Sequence, residues 1–145
     1  MPFAPLSLYF ENAAGQVREH PAGYAVICYS LGKRQPETFE ALAVQLGRLL
    51  LLRGWHRLLS DQREMTPLSE AEKTWITDEW LTGKIRRPAA LWEAVLVPVD
   101  VFARLSVGQI LNQTTAAAGT ITLQSFTEEA AAHAYLLSVS NKPPR

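Results

Sequence analysis

Residues 24–31 (YAVICYSL) form an apolar stretch rich in β-formers, and no other feature constrains the fold of this chain as tightly. A run without polar alternation suits a strand covered on both faces, the condition of a central strand in a parallel sheet. The chain then turns at Gly32-Lys33-Arg34-Gln35, and Pro36 suits the first turn of a helix, where its missing N–H costs nothing. Phe39, Leu42, Ala43, Leu46, Leu49 and Leu50 recur at spacings of three and four, giving one apolar stripe that Gly54 ends.

The alternation repeats downstream. Residues 57–60 read as a short strand ending at Asp61, residues 91–97 (LWEAVLV) as another and residues 120–126 as a third, β-branched one. Ser69 with Glu72 is a capping box that opens a helix to about Leu81, stopped by Gly83. Residues 99–114 read helical through Val101, Phe102, Leu105, Ile110 and Leu111, although Gly108 weakens the pattern and Gly119 breaks the chain before the third strand. Thr127 is expected to cap a last, Ala-rich helix. Upstream, residues 6–11 alternate weakly, residues 16–20 continue the same strand past a break at 12–15, and Pro21-Ala22-Gly23 turns it into residues 24–31 as an antiparallel hairpin.

The resulting order, ββαβαβαβα, predicts an α/β fold. Its sheet is mainly parallel, of about five strands with an antiparallel first strand, flanked by about four helices with right-handed crossovers. A chain of 145 residues supports one real core, so residues 1–139 are expected to form a single domain and residues 140–145 a fraying tail.

Lysine plus arginine equal aspartate plus glutamate, 14 against 14, so the chain lacks the electrostatic footprint of a dedicated nucleic-acid binder. Cys28 is the single cysteine, which fits a reducing, cytoplasmic setting, and its apolar neighbours read as those of a packed thiol, not a nucleophile. Residues 1–10 carry no signal-peptide pattern, and the longest apolar run is far short of a membrane span. His20, His56 and His133 are scattered without ligand spacing, so no metal is expected. No nucleotide-binding glycine motif or nucleophile elbow occurs, and no cofactor is implied.

In sheets of this kind, ligands meet the loops at the carboxyl ends of the parallel strands. That edge is expected to gather residues 32–34, 61–64, 98–100 and 125–127, with Lys84, Arg86 and Arg87 at the opposite edge. Asp61, Gln62 and Arg63 are the leading candidates. Asp61 can accept a proton or organise its own loop, and Arg63 can hold an anion or pair with Glu64 or Asp100. On the next helix, Trp75, Glu79 and Trp80 share one broad arc, either as an indole-walled groove or with Glu79 at its rim, paired with a base.

The strand end Ser60-Asp61-Gln62-Arg63, the stretch LLSDQREMTPLSEAEKTWITDEW and the closing LQSFTEEAAAHAYLL resemble the small bacterial members of the SpoIIAA-like (STAS/SEC14-type) family, over residues 6–138. The resemblance implies a compact interaction or ligand-binding module that is usually not an enzyme. In the anti-sigma-factor antagonists of that family a phosphorylated serine directly follows an Asp; here Gln62 follows Asp61, so the acceptor hydroxyl is missing.

The first expectation is therefore a non-enzymatic protein-interaction or regulatory module. Its recognition surface would comprise loop 61–66 and helix 69–81: Asp61, Gln62, Arg63, Trp75, Glu79 and Trp80. The second is a carrier of a small apolar ligand or lipid. A third, weaker reading is an enzyme using Asp61, Arg63 and Glu79. An exposed sheet edge or the tryptophan surface leaves room for a homo-oligomer.

Overall fold

The computed structural model describes residues 6–108, 121–139 and 141. Its sheet has six strands in chain order, β1 (Ser7–Asn12), β2 (Gly15–His20), β3 (Tyr24–Tyr29), β4 (Arg57–Asp61), β5 (Leu91–Leu96) and β6 (Ile121–Phe126). β1, β2 and β3 pair antiparallel, and β3 to β6 are parallel. The sheet thus has one strand more than expected. The break at 12–15 is itself a hairpin turn: Asn12 sits opposite Gly15, and its Oδ1 accepts the Ala14 N–H at 2.8 Å.

Helix α1 (Pro36–Arg53) starts with proline in its first turn and ends at Gly54, whose φ of 67° suits a residue without a Cβ. Its stripe of Phe39, Leu42, Leu46, Leu49 and Leu50 packs with Val17, Ala25, Ile27 and Leu58 on one face of the sheet. Gly47 lets α1 approach the chain at Arg86 closely, since a Cβ there would lie 2.2 Å from the Arg86 carbonyl oxygen.

The helix predicted for 69–81 has two parts. α2 (Glu70–Trp75) begins with the capping box, Glu72 N–H to Ser69 Oγ at 3.1 Å and Ser69 N–H to Glu72 Oε1 at 2.9 Å. It then widens into a π turn, Ile76–Trp80, closed by Leu81 N–H on the Ile76 carbonyl at 2.8 Å. In a regular α-helix Trp80 would point about 140° away from Trp75. The wider turn brings it nearly back over Trp75, so both indoles reach the interior.

Helix α3 is described over residues 101–108, and Asp100 caps its start: its Oδ1 accepts the Ala103 N–H at 2.9 Å. The expectations for Ile110, Leu111, Thr114 and Gly119 lie outside the described residues. On the second face of the sheet, Tyr24, Val26, Leu59, Ala94 and Leu96 pack with Ala132 and Leu136 of the last helix, α4 (Glu129–Ser138). Glu128, not Thr127, occupies the N-cap of α4, and no side chain caps it.

Packing is uneven across the first face. α1 lies over β1, β2 and β3, while α4 covers β4, β5 and β6 from the other side. The part of the first face above β4 and β5 is roofed by the π turn and Val107, and a cavity remains beneath them. The tail expected to fray includes Asn141, whose side chain is anchored, donating to the Gly23 carbonyl at 2.8 Å and accepting from His56 N–H at 3.1 Å. Among the described residues no helix is long and apolar enough to cross a membrane.

Candidate functional site

The carboxyl rim forms as the topology requires. Gln62 N–H bonds the Leu96 carbonyl at 3.0 Å, Val99 N–H the Arg63 carbonyl at 3.1 Å, and Thr66 Oγ1 the Gly32 carbonyl at 2.9 Å. Lys84 and Arg86 lie elsewhere, in a surface groove with Val44, Arg48, Leu51 and Leu52 of α1.

The acid-amide-base trio is divided by the pleat, because successive side chains of an extended segment point to opposite faces. Asp61 and Arg63 go to the α4 side. Arg63 Nε and Nη2 grip Asp61 at 2.9 and 2.8 Å, and Nη2 also meets Glu129 Oε1 at 2.5 Å. Arg63 therefore pairs with Asp61 and Glu129, not with Glu64 or Asp100. Its hydrogen bond to Asp61 above all, with Glu129 in support, holds the guanidinium firmly in its charged form. A second arginine is saturated deeper in the rim. Arg34 grips Glu72 at 2.7 and 2.9 Å and Thr66 Oγ1 at 2.8 Å, with both charged side chains at most 5% exposed. Burial opposes the Glu72 carboxylate, but bonds from Arg34 and Ser69 hold its pKa below the ordinary value.

Gln62 points the other way, into the cavity. Its Nε2 donates to Ser60 Oγ at 3.1 Å, and its buried Oε1 has no hydrogen-bond partner. The cavity measures about 90 Å³ and is walled by Tyr29, Phe39, Trp75 and Trp80, with apolar side chains of both layers in its lining. Trp80 is only 8% exposed, and Trp75 packs edge-on to Phe39 with ring centroids 6.1 Å apart, so both indoles wall the cavity. Glu79 is half-buried, and none of the ion pairs among the described residues includes it.

One cavity residue does not stand out in the sequence. Glu93, in the middle of β5, has Leu58 and Leu123 as its cross-strand neighbours and faces the cavity. No hydrogen bond or ion pair among the described residues reaches its carboxyl. Burial pushes its pKa up to about 7, against the opposing field of Arg87. Arg87 itself is buried, its guanidinium 5.4 Å from the centre of the Trp80 ring and its donors on the carbonyls of Trp80, Leu81 and Pro88 at 2.8, 3.1 and 2.7 Å. It clamps the end of the π turn and with it the Trp80 wall. Tyr29 completes the polar set: burial first, then Glu93, raises its phenol above the ordinary range, while a bond with Ser60 works the other way. The signal that could reveal Glu93 is parity. It shares a strand face with Leu91 and Val95, but in a run covered on both sides one acid breaks no period.

The remaining candidates are structural. Burial, then Asp61, raises the Cys28 thiol to about 11, which leaves it protonated and unreactive near neutrality. The histidines are less scattered than the sequence suggests: His20 stacks on Tyr24 at 4.3 Å, and the Tyr24 hydroxyl meets His133 Nδ1 at 2.6 Å. Among the described residues no three metal-ligating side chains converge. Compared with known protein families, characterised proteins and solved structures, the chain matches none of them.

Proposed function

We propose that this protein is a small-ligand-binding module of SpoIIAA-like type, with its site in the cavity between the sheet and α2. The observation that carries this reading is the pair of unpartnered acceptors, Gln62 Oε1 and Glu93, facing a space walled by aromatic rings. Buried polar groups are normally satisfied, and Gln62 Oε1 is an exception; the half-buried Glu93 carboxyl beside it has no counter-ion among the described residues. An apolar pocket with a few convergent polar groups and a perturbed carboxyl is the usual form of a binding site. The test is a screen of short-chain organic fragments read through indole N–H resonances. Trp75 and Trp80 should shift, and Ala43→Leu, which fills the cavity from α1, should abolish the shifts. Fragment shifts that persist unchanged in Ala43→Leu would count against the cavity.

A second reading, a protein-interaction module, is supported by a different observation. Val99, Val101, Phe102 and Leu105 are all exposed, Phe102 by 69%, beside the loop that holds Arg63. Contiguous exposed apolar residues mark interaction sites. If this surface recruits a partner, Phe102→Glu with Leu105→Glu should abolish recovery of that partner from a cell extract. Equal recovery by the double variant and the wild type would remove the support.

A further inference from the structure

Resting on the reading of the cavity as a ligand site, we propose that its occupant presents a protonated amine, on a short apolar body, to Glu93 and Gln62. Two acceptors of the cavity, Gln62 Oε1 and the Glu93 carboxyl, have no donor among the described residues. Gln62 Oε1 has no donor, because the Ser60 contact is made by the amide nitrogen of Gln62. Among the described residues, Arg87 is the cation that acts on Glu93, and it aims its donors at backbone carbonyls instead.

A neutral apolar occupant would leave Gln62 Oε1 without a donor and offer no partner to the Glu93 carboxyl. An anion would face the Glu93 charge. An ammonium group can donate to both acceptors, and its charge opposes that of the Glu93 carboxylate. Size limits the rest of the molecule. At about 90 Å³ the cavity is smaller than the ~150 Å³ known to admit benzene, so a short aliphatic chain fits better than a ring.

The experiment titrates the full chain at pH 8 with three probes that share one apolar body: isobutylamine hydrochloride, isobutanol and sodium isobutyrate. The four indole N–H resonances are the readout. Trp55 and Trp92 do not line the cavity and serve as internal controls. The amine should shift Trp75 and Trp80 and bind at least about tenfold tighter than the alcohol, with the carboxylate weakest. Glu93→Gln should bring the amine down to the alcohol's affinity and leave the alcohol unchanged. Gln62→Leu should weaken the amine by a smaller factor, which guards against a folding defect in either variant. If the alcohol or the carboxylate matches the amine, or if Glu93→Gln keeps the preference for the amine, the charge assignment fails while the cavity stands as a binding site. If none of the probes moves either cavity indole, the cavity reading fails and this inference with it.

Discussion

Two sets of buried and half-buried charges, separated by the thickness of one sheet or one helical turn, are wired in opposite ways. At the rim, Arg34 is saturated by Glu72 and Thr66, and Arg63 is gripped by Asp61 and Glu129. In the cavity, Glu93 and the Gln62 amide oxygen face open space without donors. Saturated clusters fix geometry: Arg34 ties the β3–α1 loop to the start of α2, and Arg63 ties the end of β4 to α4. Unsaturated ones leave interaction energy available to something else. Residue type alone would rank the rim above the cavity as a site, and hydrogen-bond completeness reverses that order.

The contrast is broken most strongly at Arg34. Arg34→Ala leaves the Glu72 carboxylate buried without its partner, and loss of one member of a buried pair costs roughly 3–5 kcal/mol. Urea unfolding should show that loss at neutral pH. The midpoint should recover partly in Arg34→Ala with Glu72→Gln, because no buried charge is then stranded.

Glu93→Gln should do the reverse of a typical core mutation and stabilise the protein, in a pH-dependent way. A glutamate ordinarily titrates at 4.5, and here the folded-state value is raised to about 7. The folded state therefore holds the proton more tightly than the unfolded chain. Its contribution is complete below 4.5 and is lost as the pH rises through 7. At pH 8 the amide variant escapes that loss, a gain of roughly 3 kcal/mol, since each tenfold difference in proton affinity between the folded and unfolded chain is worth about 1.4 kcal/mol. Below pH 4.5 the two proteins should unfold at nearly the same denaturant concentration. Arg87 and Tyr29 are the other titratable groups that interact with Glu93; both keep their protons throughout this range, so they do not blur the comparison.

Arg63→Ala should have the smallest effect. The side chain is 36% exposed and its partners remain hydrated, so about 1 kcal/mol or less is expected in the same unfolding assay. A loss as large as that at Arg34 would show that the rim acts as one network and not as two separate clamps.

Much of the fold is legible in local signals. The stretches 24–31, 57–60 and 91–97 hold the parallel strands β3, β4 and β5, and Ser69 with Glu72 is the capping box. The hairpin within residues 7–20 is harder to see, because Asn12-Ala13-Ala14-Gly15 passes for a break within one strand, although Asn12 and Gly15 are both turn formers. The site is less legible. Trp75 and Trp80 share an arc in the sequence, but the π turn that aims both inward leaves no periodic trace. Gln62 groups naturally with its sequence neighbours, yet the pleat separates it from them. Glu93 is hidden because a covered strand has no polar face against which an acid stands out. The contacts of Arg34 with Glu72 and of Tyr24 with His133 depend on tertiary folding that brings residues 38 or more positions apart together.

The most direct check of the unsaturated cavity is the titration of the Glu93 side-chain carboxyl carbon by NMR, its resonance identified by its absence in Glu93→Gln. A midpoint of about 7 is predicted, well above the ordinary glutamate value. A midpoint at the ordinary value of 4.5 would mean that the carboxyl reaches water or another donor, and the cavity would lose the feature that distinguishes it from a packing gap.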